Sequence, residues 1–254
     1  MVSQSLKGQH AVVTGGSRGI GKAIAAAFIG QGAAVTIMGR SLESLQSTAE
    51  ALGAQAVVVD VTQPEAVERA FAEARQHGDI SILVNSAGNA ESAPFHRTGL
   101  DLWQRMISVN LTSAFLCTRA VVPGMVERGY GRIVNIASTA ALTGYSYVTA
   151  YCAAKHGVLG LTRALALELA TRGVTVNAIC PGYTDTDMFA DVVANIVEKT
   201  GRSAEEARAE LVRRNPQGRL VRPDEVARSV LWLCLPEAEA ITGQAIAVAG
   251  GEVL

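Results

Sequence analysis

Tyr151 and Lys155 are the residues whose types and spacing most suggest acid–base chemistry. They stand four residues apart in the segment Tyr151-Cys-Ala-Ala-Lys155, so on a helix they would share one face. A tyrosine with a pKa of about 10 is a poor acid–base group at neutral pH, but a neighbouring ammonium favours the phenolate and lowers that pKa. Ser138, at the end of a predicted strand, could hydrogen-bond the same substrate oxygen. Taken singly, each has an ordinary explanation: a core tyrosine, a solvated lysine and a capping serine.

A glycine-rich turn near the start of the chain could bind phosphate. It reads Thr14-Gly15-Gly16-Ser17-Arg18-Gly19-Ile20-Gly21 and joins a predicted strand to a predicted helix. Phosphate binds to bare backbone N–H groups at a helix N-terminus, which larger side chains would obstruct. A tight turn without a ligand is the alternative, but the strand–turn–helix setting favours a dinucleotide site.

In a dinucleotide site of this kind, the residue that selects between NAD and NADP is expected about 20 residues after the glycine-rich turn. An acid there would bind the 2′-hydroxyl of NAD, but the sequence has Gly39-Arg40-Ser41 and no carboxylate before Glu43. Arg40 could bind a 2′-phosphate through charge-assisted hydrogen bonds, Ser41 could add a donor, and Arg18 adds positive charge. Simple solvent exposure is the alternative for both arginines. We expect NADP(H) to be favoured over NAD(H).

The elements that must position these groups alternate between short apolar runs and longer helical patterns. The predicted strands cover residues 10–14, 34–38, 56–59, 80–84, 132–136, 174–179 and 244–248. The predicted helices cover residues 19–30, 42–52, 64–76, 100–121, 148–170 and 224–235. Strands this apolar are expected to be buried on both faces, as in a parallel sheet covered by helices. Right-handed crossovers then give a doubly wound α/β sheet that binds ligands at the carboxyl ends of its strands.

Composition argues against several classes of function. The 254 residues carry 22 Lys+Arg and 23 Asp+Glu, so the net charge of −1 disfavours nucleic acid or an anionic membrane as a partner. The four cysteines form no C-x-x-C pair and the four histidines no ligand cluster, so we expect neither a metal site nor disulfides. Because we find no repeat, linker, signal peptide or apolar run of membrane-spanning length, we expect one domain over residues 1–254, located in the cytoplasm.

Further motifs stand in order with the first ones: Asn85-Ser-Ala-Gly88, Asn110 and Pro181-Gly182. Together with the glycine turn, Ser138 and Tyr151-x-x-x-Lys155, they resemble the short-chain dehydrogenase/reductase family over residues 10–251. One departure is minor, since the family's usual Asn-Asn-Ala-Gly reads Asn-Ser-Ala-Gly here. The resemblance implies a Rossmann fold with one seven-stranded parallel sheet, order 3-2-1-4-5-6-7 with helices on both faces. It also implies an NAD(P)-dependent oxidoreductase that acts on CH–OH groups.

The resemblance also assigns roles to residues. Tyr151 would be the general acid in reduction and the general base in oxidation, and Ser138 would position the substrate carbonyl. Lys155 would bind the nicotinamide ribose and lower the pKa of Tyr151. Asn110 would hold a water that relays protons between Lys155 and solvent. Asp60 and Val61 would contact adenine, although Asp60 could simply be a turn residue and Thr186 a helix N-cap. The residues expected to bind the cofactor are Gly15, Ser17, Arg18, Gly19, Ile20, Gly21, Arg40, Ser41, Asp60, Val61, Asn85, Ala87, Gly88, Tyr151, Lys155, Pro181, Gly182, Thr184 and Thr186.

The substrate is less well defined by the sequence. Residues 184–221 correspond to the family's variable substrate lid, and Tyr145, Tyr147 and Tyr183 could line the pocket. The chain resembles most closely the 3-oxoacyl thioester reductases, polyketide ketoreductases and 3-hydroxybutyrate dehydrogenases. We therefore expect NADPH-dependent reduction of a ketone, most simply a 3-oxoacyl thioester. An NAD-dependent 3-hydroxybutyrate or other secondary-alcohol dehydrogenase is the alternative. A non-catalytic protein that senses NADPH would not need Asn110, Ser138, Tyr151 and Lys155 together.

Partners follow from the same resemblance. The substrate could be carried on CoA or on acyl carrier protein, because Arg132 and Arg172 match docking arginines of the carrier-protein reductases; a structural role is the alternative for both. Arg213 and Arg214 could attract a CoA or phosphopantetheine phosphate, or be solvated. In the family, the two long helices pair across a two-fold axis and a C-terminal interface completes a tetramer, so we expect a homotetramer.

Overall fold

In the computed structural model, which describes residues 4–253, seven parallel strands form one sheet in the order β3-β2-β1-β4-β5-β6-β7. The strands are β1 His10–Thr14, β2 Ala34–Gly39, β3 Gln55–Val58, β4 Ile80–Asn85, β5 Gly131–Ile136, β6 Val174–Pro181 and β7 Ala245–Val248. The α-helices are α1 Gly19–Gly30, α2 Leu42–Leu52, α3 Pro64–Ala74, α4 Leu100–Ile107, α5 Ser113–Arg128, α6 Thr149–Leu169, α7 Asp187–Thr200, α8 Ala204–Val212 and α9 Pro223–Cys234. The predicted fold class and strand order are confirmed.

Helices cover the sheet on both faces, and the alternation of side chains along β1 shows how. Ala11 and Val13 pack in the layer that contains side chains of α1, α2 and α9, whereas Val12 packs in the layer that contains side chains of α3, α5 and α6. The expectation of burial on both faces holds for the central strands. It is wrong for the edge strands, because an edge strand has a neighbouring strand on one side only. Val58 of β3 is half exposed, and none of the four residues of β7 is fully buried.

The register of the sheet brings the ends of three strands to one edge. Thr14 at the end of β1 pairs with Asn85 at the end of β4, and Asn85 pairs with Asn135 near the end of β5. The segments that follow these strands therefore meet at the carboxyl edge of the sheet. This is the edge where the sequence predicts the binding site.

The first long helix departs from its prediction, because it does not stop before Pro123. α4 continues through a π-helical turn, Ser108–Thr112, into α5, and Pro123 lies inside α5. A proline removes one backbone hydrogen bond from a helix. Burial of Val121 and Met125 in the core on either side favours continuing it. The helix ends at Gly129, whose φ of 64° is in the left-handed region that favours glycine.

The continuous helical stretch Leu100–Arg128 is long and apolar enough to cross a membrane by length and composition. In the structure, its apolar residues Leu116, Cys117, Val121 and Met125 are buried against the sheet and α3. This is the packing of a core helix.

The segment expected to form a lid, residues 184–221, contains α7 and α8. Gly201 ends α7 in the left-handed region, and Ser203 with Glu206 forms a capping box that starts α8. Phe189, Leu211 and Leu220 form a small apolar cluster of their own, apart from the two layers of the sheet. That this segment acts as a substrate lid stays a prediction.

Candidate active site

Ser138, Tyr151 and Lys155 come together at the carboxyl edge of the sheet. Ser138 follows β5, and the other two residues lie one turn apart in α6. The Ser138 hydroxyl lies close enough to the Tyr151 phenol to lower its pKa. Ser138 Oγ also accepts a hydrogen bond from the Ala140 N–H at 3.1 Å, at the start of the short turn Thr139–Ala141. Ser138 is therefore a capping residue, and the cap does not use the hydroxyl's own proton.

Asn110 lies in the π-helical turn and is held mainly by backbone groups. Its Nδ2 donates to the carbonyls of Asn89 (2.9 Å) and Met106 (3.0 Å), and its Oδ1 accepts from the Asn89 N–H at 3.3 Å. Both N–H groups of the amide are thus occupied. A water that Asn110 binds would have to use a backbone carbonyl that the widened turn leaves free.

Gly88 joins this group because it has no side chain. A Cβ at Gly88 would lie 2.8 Å from Asn110 Oδ1 and 3.6 Å from Lys155 Nζ. Lys155 itself is buried and donates to the carbonyl of Ile136 at 2.8 Å. The four residues expected to be catalytic, with Gly88, therefore share one small region.

The protonation states differ from the sequence expectation. Burial raises the pKa of Tyr151 to about 12, and the nearby Ser138 hydroxyl opposes this only in part. Burial also lowers the pKa of Lys155 to about 8. Lys155 Nζ lies 5.6 Å from the centre of the Tyr151 ring and bonds a carbonyl rather than the phenol, so a lowering of the tyrosine pKa by Lys155 is not seen. At neutral pH, Tyr151 is a proton donor.

The glycine turn has the shape that a dinucleotide phosphate requires. Gly15 and Gly19 have φ of +66° and +53°, which larger residues rarely adopt. A Cβ at Gly21 would lie 2.2 Å from the Gly15 carbonyl oxygen, so only glycine fits there. No side-chain hydrogen bond caps α1 at Arg18, so the N–H groups of its first turn, which includes Ile20, are open to a ligand. These residues fit a nicotinamide dinucleotide.

Polar side chains at the ends of β1 and β4 hold the neighbouring segment in place. Thr14 Oγ1 accepts from the N–H groups of Ser86 and Ala87, both at 3.1 Å. Asn85 Nδ2 donates to Asn135 Oδ1 at 2.8 Å and to Thr118 Oγ1 at 3.0 Å. The amide nitrogen of Asn85 therefore joins strands and helix rather than facing a cofactor.

At the other end of the expected cofactor site, Arg40 is exposed at the end of β2 and Ser41 is the N-cap of α2. Ser41 Oγ accepts from the Ser44 N–H at 3.4 Å. Asp60 has the turn role that the sequence left open, because its carboxylate accepts from the Thr62 N–H and hydroxyl at 3.0 and 2.7 Å. Its neighbour Val61 is buried.

The segment after β6 lies beside the glycine turn. Pro181 ends β6, and the N–H of Gly182 donates to the Val248 carbonyl at 3.1 Å. Thr184 is buried and its hydroxyl donates to the Gly182 carbonyl at 3.0 Å. Thr186 occupies the N-cap position of α7 without a side-chain capping bond, and its methyl group lies 3.2 Å from where a Cβ of Gly19 would be.

The start of α7 also carries an ion pair to the glycine turn. Arg18 lies 3.7 Å from Asp187, and both side chains are exposed. Ser17, the residue before Arg18, accepts from the Thr48 hydroxyl through its carbonyl at 2.9 Å, which fixes the turn to α2.

A carboxylate that the sequence did not single out lies on the substrate side. The Tyr145 hydroxyl is 2.7 Å from Glu252 Oε1 and 2.8 Å from Thr139 Oγ1. Because a carboxylate only accepts, Tyr145 donates to Glu252 and Thr139 donates to Tyr145. Burial raises the pKa of Tyr145, which keeps this proton in place. The sequence placed Tyr145 near the pocket, but nothing in it paired Tyr145 with Glu252, which lies 107 residues away.

The other tyrosines expected at the pocket are placed differently from each other. Tyr183 packs edge-on against Phe189 of α7, with ring centres 5.9 Å apart. Tyr147 is largely exposed with φ of 70°, a strained value for a bulky residue, and its carbonyl accepts from the Ala93 N–H at 2.8 Å.

The four arginines that were expected to attract a carrier or its phosphate also differ from one another in exposure and position. Arg132 is 3% exposed at the opposite, amino edge of the sheet, so a docking role for its side chain does not fit the structure. Arg172 and Arg213 are exposed, and the Arg214 guanidinium lies 4.9 Å from the centre of the Tyr145 ring.

Comparisons with known proteins agree with this geometry. A family model described as enoyl-(acyl carrier protein) reductase matches residues 15–252. The 3-oxoacyl-(acyl-carrier-protein) reductase FabG of Vibrio cholerae is 38% identical over 250 residues, which cover 97% of this chain and 98% of that protein. The acetoacetyl-CoA reductase of Shinella zoogloeoides is 40% identical over 245 residues, 95% of this chain and 97% of that protein. Among solved structures, a variant of actinorhodin polyketide ketoreductase with NADPH has a TM-score of 0.93 and 39% identity, covering 99% of both chains. The chain belongs to the short-chain dehydrogenase/reductase family and is an NAD(P)-dependent oxidoreductase.

Proposed function

We propose that this protein reduces a ketone to a secondary alcohol with NADPH, and that the ketone is a 3-oxoacyl thioester carried on CoA or acyl carrier protein. The observation that carries the proposal is the placement of Ser138, Tyr151 and the buried Lys155 together at the carboxyl edge of the sheet, where burial raises the pKa of Tyr151 to about 12. A protonated phenol is what the reduction direction requires, because the carbonyl oxygen must receive a proton.

The residues would act as follows. The reduced nicotinamide, when bound, supplies a hydride to the carbonyl carbon. Ser138 and Tyr151 donate hydrogen bonds to the carbonyl oxygen, and the Tyr151 proton passes to that oxygen as negative charge develops there. Lys155 would bind the ribose hydroxyls of the cofactor, and a water held at the π-helical turn of Asn110 would return a proton to Tyr151.

Two features support the choice of NADPH. Arg40 is exposed at the end of β2 with Ser41 beside it, where an acid would favour NAD. The Ser41 hydroxyl accepts a hydrogen bond from the Ser44 N–H and keeps its own proton for a phosphate. Charge-assisted hydrogen bonds of about 1.5–3 kcal/mol predict a preference of roughly ten- to a hundredfold in kcat/KM.

The substrate class rests on the relatives, whose names include reductases of 3-oxoacyl groups and of acetoacetyl-CoA. An NAD-dependent 3-hydroxybutyrate dehydrogenase is the second candidate, and a relative named D-beta-hydroxybutyrate dehydrogenase, 37% identical, supports its substrate class. A cytoplasmic location and a homotetramer stay predictions.

The activity is tested by NADPH consumption with acetoacetyl thioesters and simple ketones. We expect Tyr151→Phe to lose at least ~10²-fold in kcat, because a general acid is removed. NADPH binding, followed by the fluorescence of the reduced nicotinamide, should be retained and shows that the variant is folded. Unchanged turnover in Tyr151→Phe would exclude the mechanism.

Cofactor choice is tested separately, by kcat/KM for NADPH and NADH on one substrate. Arg40→Asp should reverse the preference, because a carboxylate repels the 2′-phosphate and binds the ribose diol. Arg69→Asp, the same change on the exposed side of α3, is the matched control and should leave the preference unchanged. Equal use of both cofactors by the wild type would contradict the assignment.

A further inference from the structure

A cavity of about 360 Å³ opens at the amino edge of the sheet, away from the candidate active site. The residues around it include Tyr130 and Arg132 at the start of β5, Thr175 at the start of β6, and Glu239 and Thr242 before β7. Ser138 lies six residues beyond Arg132, so at about 3.3 Å per residue the cavity is roughly 20 Å from the catalytic groups. The cavity is therefore separate from the expected dinucleotide and substrate sites.

Arg132 brings a buried positive charge to this cavity. Its side chain is 3% exposed, and its Nη1 donates to the carbonyls of Gly131 (3.0 Å) and Gly173 (3.4 Å). Its Nε is buried and has no hydrogen-bond partner. Within residues 4–253, no carboxylate lies within 4 Å of its guanidinium. An arginine stays charged in a protein, and a buried charge is normally paired.

The groups around Arg132 do not supply the missing negative charge. The Tyr130 ring stacks 4.4 Å from the guanidinium, its hydroxyl is also buried without a partner, and burial raises its pKa, so it is a neutral phenol. Burial raises the pKa of the nearby Cys234 thiol to about 12, so this group is neutral as well. Glu239 is exposed at the rim of the cavity. Two residues that line this cavity thus each carry a buried donor without a hydrogen-bond partner, and within residues 4–253 no carboxylate pairs with the guanidinium.

We propose that this cavity binds a small oxyanion, a carboxylate or a phosphate group, with Arg132 as its counter-charge and the Tyr130 hydroxyl as a second donor. A guanidinium edge matches the geometry of carboxylate and phosphate oxygens. The volume lies in the range of small-molecule sites. Because the guanidinium is recessed rather than on the surface, a free small anion reaches it more readily than a side chain of a docked protein.

The thermal unfolding midpoint of the whole protein tests this site. Sodium phosphate and sodium succinate are titrated against sodium chloride at equal ionic strength, with saturating NADP⁺ present so that the cofactor's own phosphate sites are filled. We expect the midpoint to rise with the concentration of at least one oxyanion, because a ligand that binds only the folded state stabilises it. A response to phosphate alone or to succinate alone identifies the group that the cavity prefers.

Variants locate the response. Arg132→Met should abolish the rise, whereas Arg228→Met should retain it, because Arg228 is exposed and paired with Asp224. An equal rise in wild type and Arg132→Met would overturn the proposal, since the anion would then bind elsewhere. Polyglutamate, an acidic peptide, is titrated in the same way. If it alone raises the midpoint, the proposal is overturned, because the site would then be a docking surface for a protein.

Two milder variants keep the test decisive if Arg132→Met does not fold. Tyr130→Phe removes only the unpaired hydroxyl and should raise the Kd for the anion by about threefold to tenfold. Glu239→Gln removes a negative charge from the rim and should lower the Kd. Unchanged affinity in both variants, or weaker binding in Glu239→Gln, would overturn the assignment.

Discussion

At the scale of the residue, the buried ammonium of Lys155 lowers the free energy of unfolding of the protein. Burial lowers its pKa from the usual 10.5 to about 8, so the folded protein holds this proton less firmly than the unfolded chain. At ~1.4 kcal/mol per pH unit, holding the ammonium in the folded state costs about 3 kcal/mol below pH 8. Between pH 8 and about 10.5 the unfolded state binds more protons, so this cost disappears as the pH rises.

We therefore expect Lys155→Met to be more stable than the wild type at pH 7, by about 2 kcal/mol after about 1 kcal/mol is subtracted for the lost hydrogen bond to the Ile136 carbonyl. The advantage should shrink towards pH 10.5. Urea unfolding without cofactor at pH 7 and pH 10 measures both quantities. A variant that is less stable at pH 7, or a difference that does not change with pH, would contradict this account. Turnover should be lost, so stability and activity are expected to move in opposite directions.

How much of the site the sequence could predict depends on how local each contact is. Tyr151 and Lys155 could be paired because their spacing of four residues defines a helix face by itself. The direction of the Tyr151 pKa could not be predicted, because burial depends on the strands and the lid segment around it. Glu252 was missed for the same reason, since its contact with Tyr145 exists only in the folded chain.

At the scale of the element, α7 is held at both of its ends. At its start, Asp187 pairs with Arg18 of the glycine turn. Further along, Asn195 Nδ2 donates to the Ser92 hydroxyl at 2.9 Å, and Lys199 Nζ donates to the Ser92 carbonyl at 3.1 Å. The helix thus bridges the expected cofactor site and the segment after β4. If the predicted lid role is right, these contacts would have to loosen for substrate to enter.

Asn195→Ala should weaken the contact between α7 and Ser92. Loss of a hydrogen bond of about 1 kcal/mol favours the open position by roughly fivefold. We expect KM for the ketone to rise by about that factor with little change in kcat, measured in steady state with saturating NADPH. Glu198→Ala is the matched control, because Glu198 is exposed on the same helix. A rise in KM of equal size in both variants would indicate a general loss of helix stability instead.

Elements were predicted best where their signals were local. Gly30, Gly53 and Gly201 lie at or near helix ends, and the β-branched runs that form the strands could be read directly. Two features could not be predicted, because both depend on packing against the sheet: the extension of the long helix past Pro123 and the π-helical turn at Asn110. The half-exposed face of β3 depends on strand order, which the apolar pattern does not contain.

At the scale of the whole molecule, two helices carry large apolar side chains that the described chain does not cover. Leu167 of α6 is 83% exposed and Phe115 of α5 is 45% exposed. Such side chains on the two long helices fit the expectation that these helices pair with a second copy across a two-fold axis. The predicted tetramer would bury them.

Leu167→Glu should therefore break the assembly. A two-fold interface on α6 would contain both copies of position 167, so the substitution would bury two charges in an apolar contact without counter-charges. Multi-angle light scattering at micromolar concentration should give four times 26.5 kDa for the wild type and a smaller species for the variant. Leu42→Glu is the matched control, because Leu42 is also exposed, at 54%, but lies on α2 away from the long helices, and this variant should keep the wild-type mass. A wild-type monomer, or a Leu167→Glu variant with unchanged mass, would show that α6 is not the interface.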